Sequence, residues 1–203
     1  MKIIEQKSAP NPRRVRIFLA EKGLSVPFEQ IDITKLEHRT ADFTETNPMQ
    51  QIPVLILDDG TAISESVAIC RYFEETNPQP PLFGHDAKSR ALVEMANRRM
   101  ELGLLSRVAQ VFRHSHPAMA ELETPQIGAW ADVNRARIGD MLALMDRSLA
   151  NHAFIAGETY SIADITALVA IDFMRPIKYP RPAELTNLAR WYDAVSVRPS
   201  AKA

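Results

Sequence analysis

The side chains best able to do chemistry fall in two stretches, Ser64-Glu65-Ser66 and Ser8-Ala9-Pro10-Asn11-Pro12. In the first, two hydroxyls flank a carboxylate just before Val67-Ala68-Ile69, which reads as the start of a helix whose first N–H groups have no intrahelical partner. Such a start can hold an anion. Just upstream, Ile52 to Leu57 is an apolar, β-rich run, Asp59-Gly60 signals a hairpin turn, and Thr61 to Ile63 supplies a short return strand. Pro53 has no N–H to give a ladder, so the beginning of that first strand leaves an open backbone edge. An edge that pairs with an extended backbone, next to a helix start that holds a carboxylate, suits a small anionic peptide.

The other reactive residue types carry less. Cys70 is the only cysteine; it rules out intramolecular disulfides and reads as a packed core thiol. His114 and His116 have no carboxylate or cysteine partners at metal spacing, so no metal site is expected. Arg13, Arg14 and Arg16 read either as an anion clamp or as a basic, solvated helix face.

The series Asn47-Pro48-x-x-Gln51-Ile52-Pro53-x-Leu55, followed by Ser64-Glu65-Ser66-x-Ala68-Ile69, resembles the glutathione-binding half of cytosolic glutathione S-transferases, with a bacterial, theta- or nu-like site. The resemblance implies glutathione as co-substrate and no metal. It implies a cis bond before Pro53, a backbone contact from Ile52 to the cysteinyl part of glutathione, and a γ-glutamyl site at Glu65 and Ser66. Gln51, and His38 nine residues before Asn47, are implied donors to the glycyl carboxylate, although His38 also reads as an exposed loop histidine. One departure is Gln50, where the family often has Gly.

A free thiol has a pKa of about 8.5, and lowering it by two units requires about 2.7 kcal/mol of added thiolate stabilisation. Hydroxyl or amide donors in the first loop, helped by the N-terminus of the helix that follows, would provide it. Theta-, zeta- and omega-like transferases carry their catalytic Ser or Cys where this chain has Ala9. Asn11 matches the thiol-facing Asn of nu-like enzymes and is the first candidate; Ser8 is the second. Asn11 also reads as the helix N-cap. The family's electrophile pocket would draw on Met100, Leu104 and Arg107, with Val111 and Phe112 nearby, although core packing accounts equally for most of these. The implied activity is transfer of the glutathione thiol to small apolar electrophiles by a homodimer. A non-catalytic interaction module, or peroxidase or isomerase chemistry at the same site, remains open.

The elements that must position these residues follow from pattern. Residues 1–77 read as an α/β, thioredoxin-like βαβαββα domain, with a first strand over 1–7, a helix from Arg13 to Gly23, a strand from Val26 to Ile33 and a short helix within 35–46. The breaker cluster Asn77-Pro78-Gln79-Pro80-Pro81 opens a linker over 78–87, and 88–203 reads as an all-helical bundle. Helices are expected over 87–112, 126–150, 162–175 and 184–197. Ser161-Ile162-Ala163-Asp164 is a capping box that starts the third of these. The net charge of −1 gives no field for nucleic acid, and no apolar run reaches the roughly 18 residues of a membrane span. A cytoplasmic location is the corresponding expectation.

Overall fold

A computed structural model describes all 203 residues. The chain forms two compact units, residues 1–81 together with 199–203, and residues 82–198.

In the first unit, strands β1 (Lys2–Glu5), β2 (Phe28–Gln30), β3 (Val54–Ile56) and β4 (Ala62–Ser64) make one sheet in the order β2-β1-β3-β4. β1 and β2 run parallel, while β3 is antiparallel to both β1 and β4. The helices are α1 (Pro10–Lys22), α2 (Ala41–Thr46) and α3 (Ser66–Thr76). This is the expected thioredoxin-like order. Alternation along the strands divides the core. Ile4 and Val54 pack with Phe43 of α2, and Ile31, Ile52 and Ile56 close around them. Ile3 and Leu55 are cross-strand partners without exposed surface and face the other way. β2 is shorter than its pattern suggests. Pro27 has no N–H to offer and gives only its carbonyl, to Ile3 N (2.9 Å), while Asp32 turns the chain into a 3-10 turn by accepting from Thr34 N.

Two buried ion pairs brace the helices. Lys22 at the end of α1 pairs with Glu74 of α3 and also donates to the Asn77 carbonyl at 2.8 Å. Arg16 pairs with Glu5 at 2.5 Å, and Gln30 donates to the other Glu5 oxygen at 2.8 Å. Cys70 is fully buried; burial pushes its thiol up to about 12, so it stays protonated at neutral pH.

The second unit is helical. It contains α4 (Ala87–Met100), a π turn over Glu101–Leu105, α5 (Ser106–Ser115), α6 (Gly128–Leu149), α7 (Ile162–Asp172) and α8 (Thr186–Ser196). The first long helical segment of the sequence is therefore one run interrupted by a π turn. α7 is buried on every side, and is apolar apart from Asp164 and Thr166: every residue from Ile162 to Ile171 is buried. The capping box is present at its start, with Ser161 Oγ accepting from Ala163 N and Asp164 Oδ2 accepting from Ser161 N at 3.0 Å. No helix is long and apolar enough to cross a membrane.

Candidate functional site

Sheet topology brings the candidate residues of the first unit to one end. β1 and β2 finish at the edge where β3 begins, and β4 finishes there too, because β3 runs antiparallel to β1 and β4. The loop 6–9 and the start of α1, the segment 31–40 with His38, the loop 47–53, and the start of α3 with Glu65 and Ser66 all leave the sheet from this edge. Two helix N-termini converge on it.

Asn47 shapes the middle of the site. It is buried at the C-cap of α2, its Nδ2 donates to the Gln51 carbonyl at 2.8 Å, and its Oδ1 accepts from Met49 N at 3.2 Å. Gln50 N closes the turn on the Asn47 carbonyl at 2.9 Å. Gln50 itself takes φ 54, the left-handed conformation usual for glycine, and its side chain is held by Thr44 Oγ1 at 2.9 Å. The loop thus keeps a glycine-type turn without a glycine. The Ile52–Pro53 bond is cis. The Ile52 side chain packs into the core, whereas pairing of β3 begins only at Val54, so the Ile52 peptide stands outside the ladder. Extending the Val54–Ser64 register by one step of two residues places Ile52 level with Ser66.

Glu65 joins β4 to α3 with φ 68 and ψ 113, a conformation costly for any residue with a Cβ. Its carbonyl accepts from Ile69 N at 2.9 Å, and its exposed side chain makes no capping bond. Ser66 is the first helical residue and is buried. No acidic side chain occupies the first turn of α3, so the positive end of that helix is unneutralised.

At α1 the structure corrects the capping assignment. The N-cap is Ala9, which offers no side-chain bond, and Asn11 is the second helical residue, with an exposed side chain. Pro10 and Pro12 have no N–H, and Arg13 N is bonded to the Ala9 carbonyl at 3.2 Å. Of the first turn's donors, only Asn11 N–H and its side-chain amide are left to face outward. Ser8 is exposed and its Oγ accepts from Gln6 Nε2 at 2.9 Å, which leaves its own proton available to donate. His38 sits on the 3-10 turn Glu37–Arg39 and is 8% exposed, so it is not an exposed loop histidine. Gln51 is exposed.

The three arginines form neither a clamp nor a solvated face. Arg14 is fully buried, Arg16 is committed to Glu5 and the Lys7 carbonyl, and Arg13 donates to the Ala201 carbonyl at 3.0 Å. In the helical unit, Leu104 has no exposed surface and Met100 is 4% exposed, while Arg107 is half-buried and donates to Asn134 Oδ1 at 3.1 Å. His114 Nδ1 accepts from Ile127 N and His116 Nδ1 from Ala118 N, both at 3.2 Å. Asn47 shapes the site although it carries no reactive group; the signal for it in the sequence is an Asn directly before a proline, the pattern of an Asx turn.

Two protein-family models match the chain, one in each unit. The family described as "Glutathione S-transferase, N-terminal domain" matches residues 9–76, and "Glutathione S-transferase, C-terminal domain" matches residues 128–194. The chain is similar to glutathione S-transferase 2 of Saccharomyces cerevisiae, at 36% identity over 100% of this chain and 88% of the yeast protein. Over 45% of this chain and 43% of the other, it is 40% identical to maleylacetoacetate isomerase of Mus musculus. Among solved structures, a glutathione S-transferase domain-containing protein of Marinobacter aquaeolei superposes with a TM-score of 0.96 at 39% identity, covering 98% of this chain and 99% of that one.

Proposed function

The chain belongs to the glutathione S-transferase family and is a glutathione transferase, and on that premise we propose how its own residues carry out the reaction. Glutathione lies extended across the sheet end, its cysteinyl backbone paired with the free Ile52 peptide and its γ-glutamyl carboxylate held by Ser66 and the uncapped start of α3, with Glu65 taking the amino group. Gln51 and His38 meet the glycyl carboxylate. The thiolate sits before α1, where Asn11 supplies its side-chain amide and the one unpaired N–H of that turn; Ser8 is the second donor. The single observation that carries this reading is the convergence of two uncapped helix N-termini and an unpaired peptide at one sheet end. The protein contributes binding, orientation and a lowered thiol pKa, and the thiolate attacks a small apolar electrophile. Arg107, the only one of the three helical-unit candidates that is not buried, is the residue we retain as an electrophile contact.

Isomerisation at the same site is a second reading, supported by the likeness to the mouse isomerase over the part of the chain it covers. We also propose a homodimer in the cytoplasm. Leu92 and Met95 on α4 and Trp130, Val133 and Leu144 on α6 are exposed apolar side chains that a second copy would cover.

The deciding experiment is calorimetric titration of glutathione into the purified protein and Glu65→Ala, with an ultraviolet difference spectrum for bound thiolate. Expected are micromolar-to-millimolar binding lost in Glu65→Ala, and a thiol pKa about one unit higher in Asn11→Ala, with kcat/KM about threefold lower at neutral pH. Absence of glutathione binding would overturn the assignment; an unchanged thiol pKa in Asn11→Ala would move the donor role to Ser8.

A further inference from the structure

The helical unit has a second concavity, independent of the sheet end and of the reading given above. It lies open to solvent between the C-terminal end of α7, the turn that follows and α8, has a volume of about 850 Å³, and is lined in part by Asp172, Arg175, Lys178, Tyr179, Arg181 and Tyr192. Three cations thus face one carboxylate in a chain whose net charge is only −1. That carboxylate is engaged, because Asp172 Oδ1 accepts from Tyr192 Oη at 2.6 Å. Arg181 lies over the Tyr192 ring, 3.8 Å from its centre. Arg175 and Lys178 are committed to no acidic partner.

Lys178 adds an independent sign. Lys178 N bonds to the Arg175 carbonyl at 3.0 Å and Tyr179 N to the Met174 carbonyl at 3.2 Å. This is the double bond pattern that ends a helical turn with a left-handed residue, a place where glycine costs least. Lys178 occupies it at φ 54. The chain tolerates backbone strain there and in return sets an ammonium group on the cavity wall.

We propose that this cavity binds a phosphate monoester of an aromatic alcohol. A surplus of two positive charges matches the charge of about −1.5 to −2 on a phosphate monoester at neutral pH, whereas a single carboxylate would neutralise only one cation. Arginine and lysine donors suit phosphate oxygens, and Tyr179 and Pro180 offer apolar surface to a ring. The charged heads are exposed, so each contact is weak and the affinity is modest.

Titration calorimetry of phenyl phosphate into the full chain tests this, with inorganic phosphate and phenol as separate probes of head and ring. Expected are saturable binding with a dissociation constant of about 1 mM or below, binding of inorganic phosphate about tenfold weaker, and none of phenol. Arg175→Gln weakens phenyl phosphate about two- to fivefold. Lys178→Gly gives the diagnostic pair: it melts about 2 °C higher, because the strain is relieved, yet binds several-fold more weakly. The proposal is overturned if phenyl phosphate gives no saturable heat up to about 10 mM, if both variants bind as the parent does, or if glutathione displaces it, which would put it at the sheet end. Equal affinity for inorganic phosphate would reduce the cavity to a bare-anion site and overturn the aromatic part.

Discussion

Glu65 is held at φ 68 and ψ 113 by the strand before it and the helix after it, at a cost of about 1–3 kcal/mol. Glycine would adopt this conformation freely. Glu65→Gly is therefore expected to raise stability by about 1 kcal/mol in urea denaturation while lowering glutathione affinity at least about tenfold in calorimetry. A variant that loses stability, or keeps its affinity, would remove the link between strain and binding at this residue. The identity of the Glu65-Ser66 pair was legible in the sequence because residue types at fixed spacing carry it. Its backbone angles were not, since nothing in a glutamate's type announces a positive φ. Gln50 teaches the same lesson: where the family often has Gly, this chain keeps the turn and supports it with Thr44 and Asn47. Two prolines allow two starting points for α1; Pro10 takes the first helical position, where a missing N–H costs nothing, so the cap falls on Ala9 and not on Asn11.

At the scale of elements, periodicity gave helices readily and their ends less so. α7 was legible because its capping box and apolar run agree, and Asp164 turned out to do more than cap. It accepts from Ile155 N, Ser161 N, Ser161 Oγ and Trp191 Nε1, tying α7 to α8 and to the loop before it. Burial outweighs those four bonds and pushes its carboxyl from the ordinary 3.8 up to about 6. Between those values the fold holds a proton that the unfolded chain has released. This group's stabilisation is thus complete below pH 3.8 and lost as pH rises through about 6. Asp164→Asn is expected to cost about 2–4 kcal/mol at acidic pH, because it leaves buried donors unpaired, and the parent's advantage should shrink by about 2 kcal/mol between pH 4.5 and 7.5. Urea midpoints of both proteins at the two pH values measure this; an advantage independent of pH would mean that Asp164 is ionised throughout. The Lys22–Glu74 pair between α1 and α3 was not legible, since its partners are far apart in sequence. Lys22→Met should cost about 1–3 kcal/mol, as read by denaturation, because it takes one cation from buried Glu74 and removes the donor to the Asn77 and Pro80 carbonyls.

For the whole molecule, two units of different class were foreseeable because strand patterns stop at the proline cluster. The path of the chain between them was not. α8 ends at Ser196, but no local pattern says that residues 199–203 rejoin the first unit. That return rests on long-range contacts: Arg13 donates to the Ala201 carbonyl, Ser200 Oγ bonds to Glu21, and Ser200 and Ala201 are both buried. Along the chain the helical unit is thus inserted between two parts of the first unit, and a fragment cut at residue 81 would lack a piece of its own core. Residues 1–81 alone should therefore melt lower than residues 1–81 joined through a short flexible linker to 199–203. The tail adds two hydrogen bonds and buried surface, about 1–2 kcal/mol, which in a unit of this size corresponds to a melting point higher by about 5 °C or more. Circular dichroism melts of the two fragments decide it. Equal melting points would mean that the tail merely rests on α1, and that the first unit is complete without it.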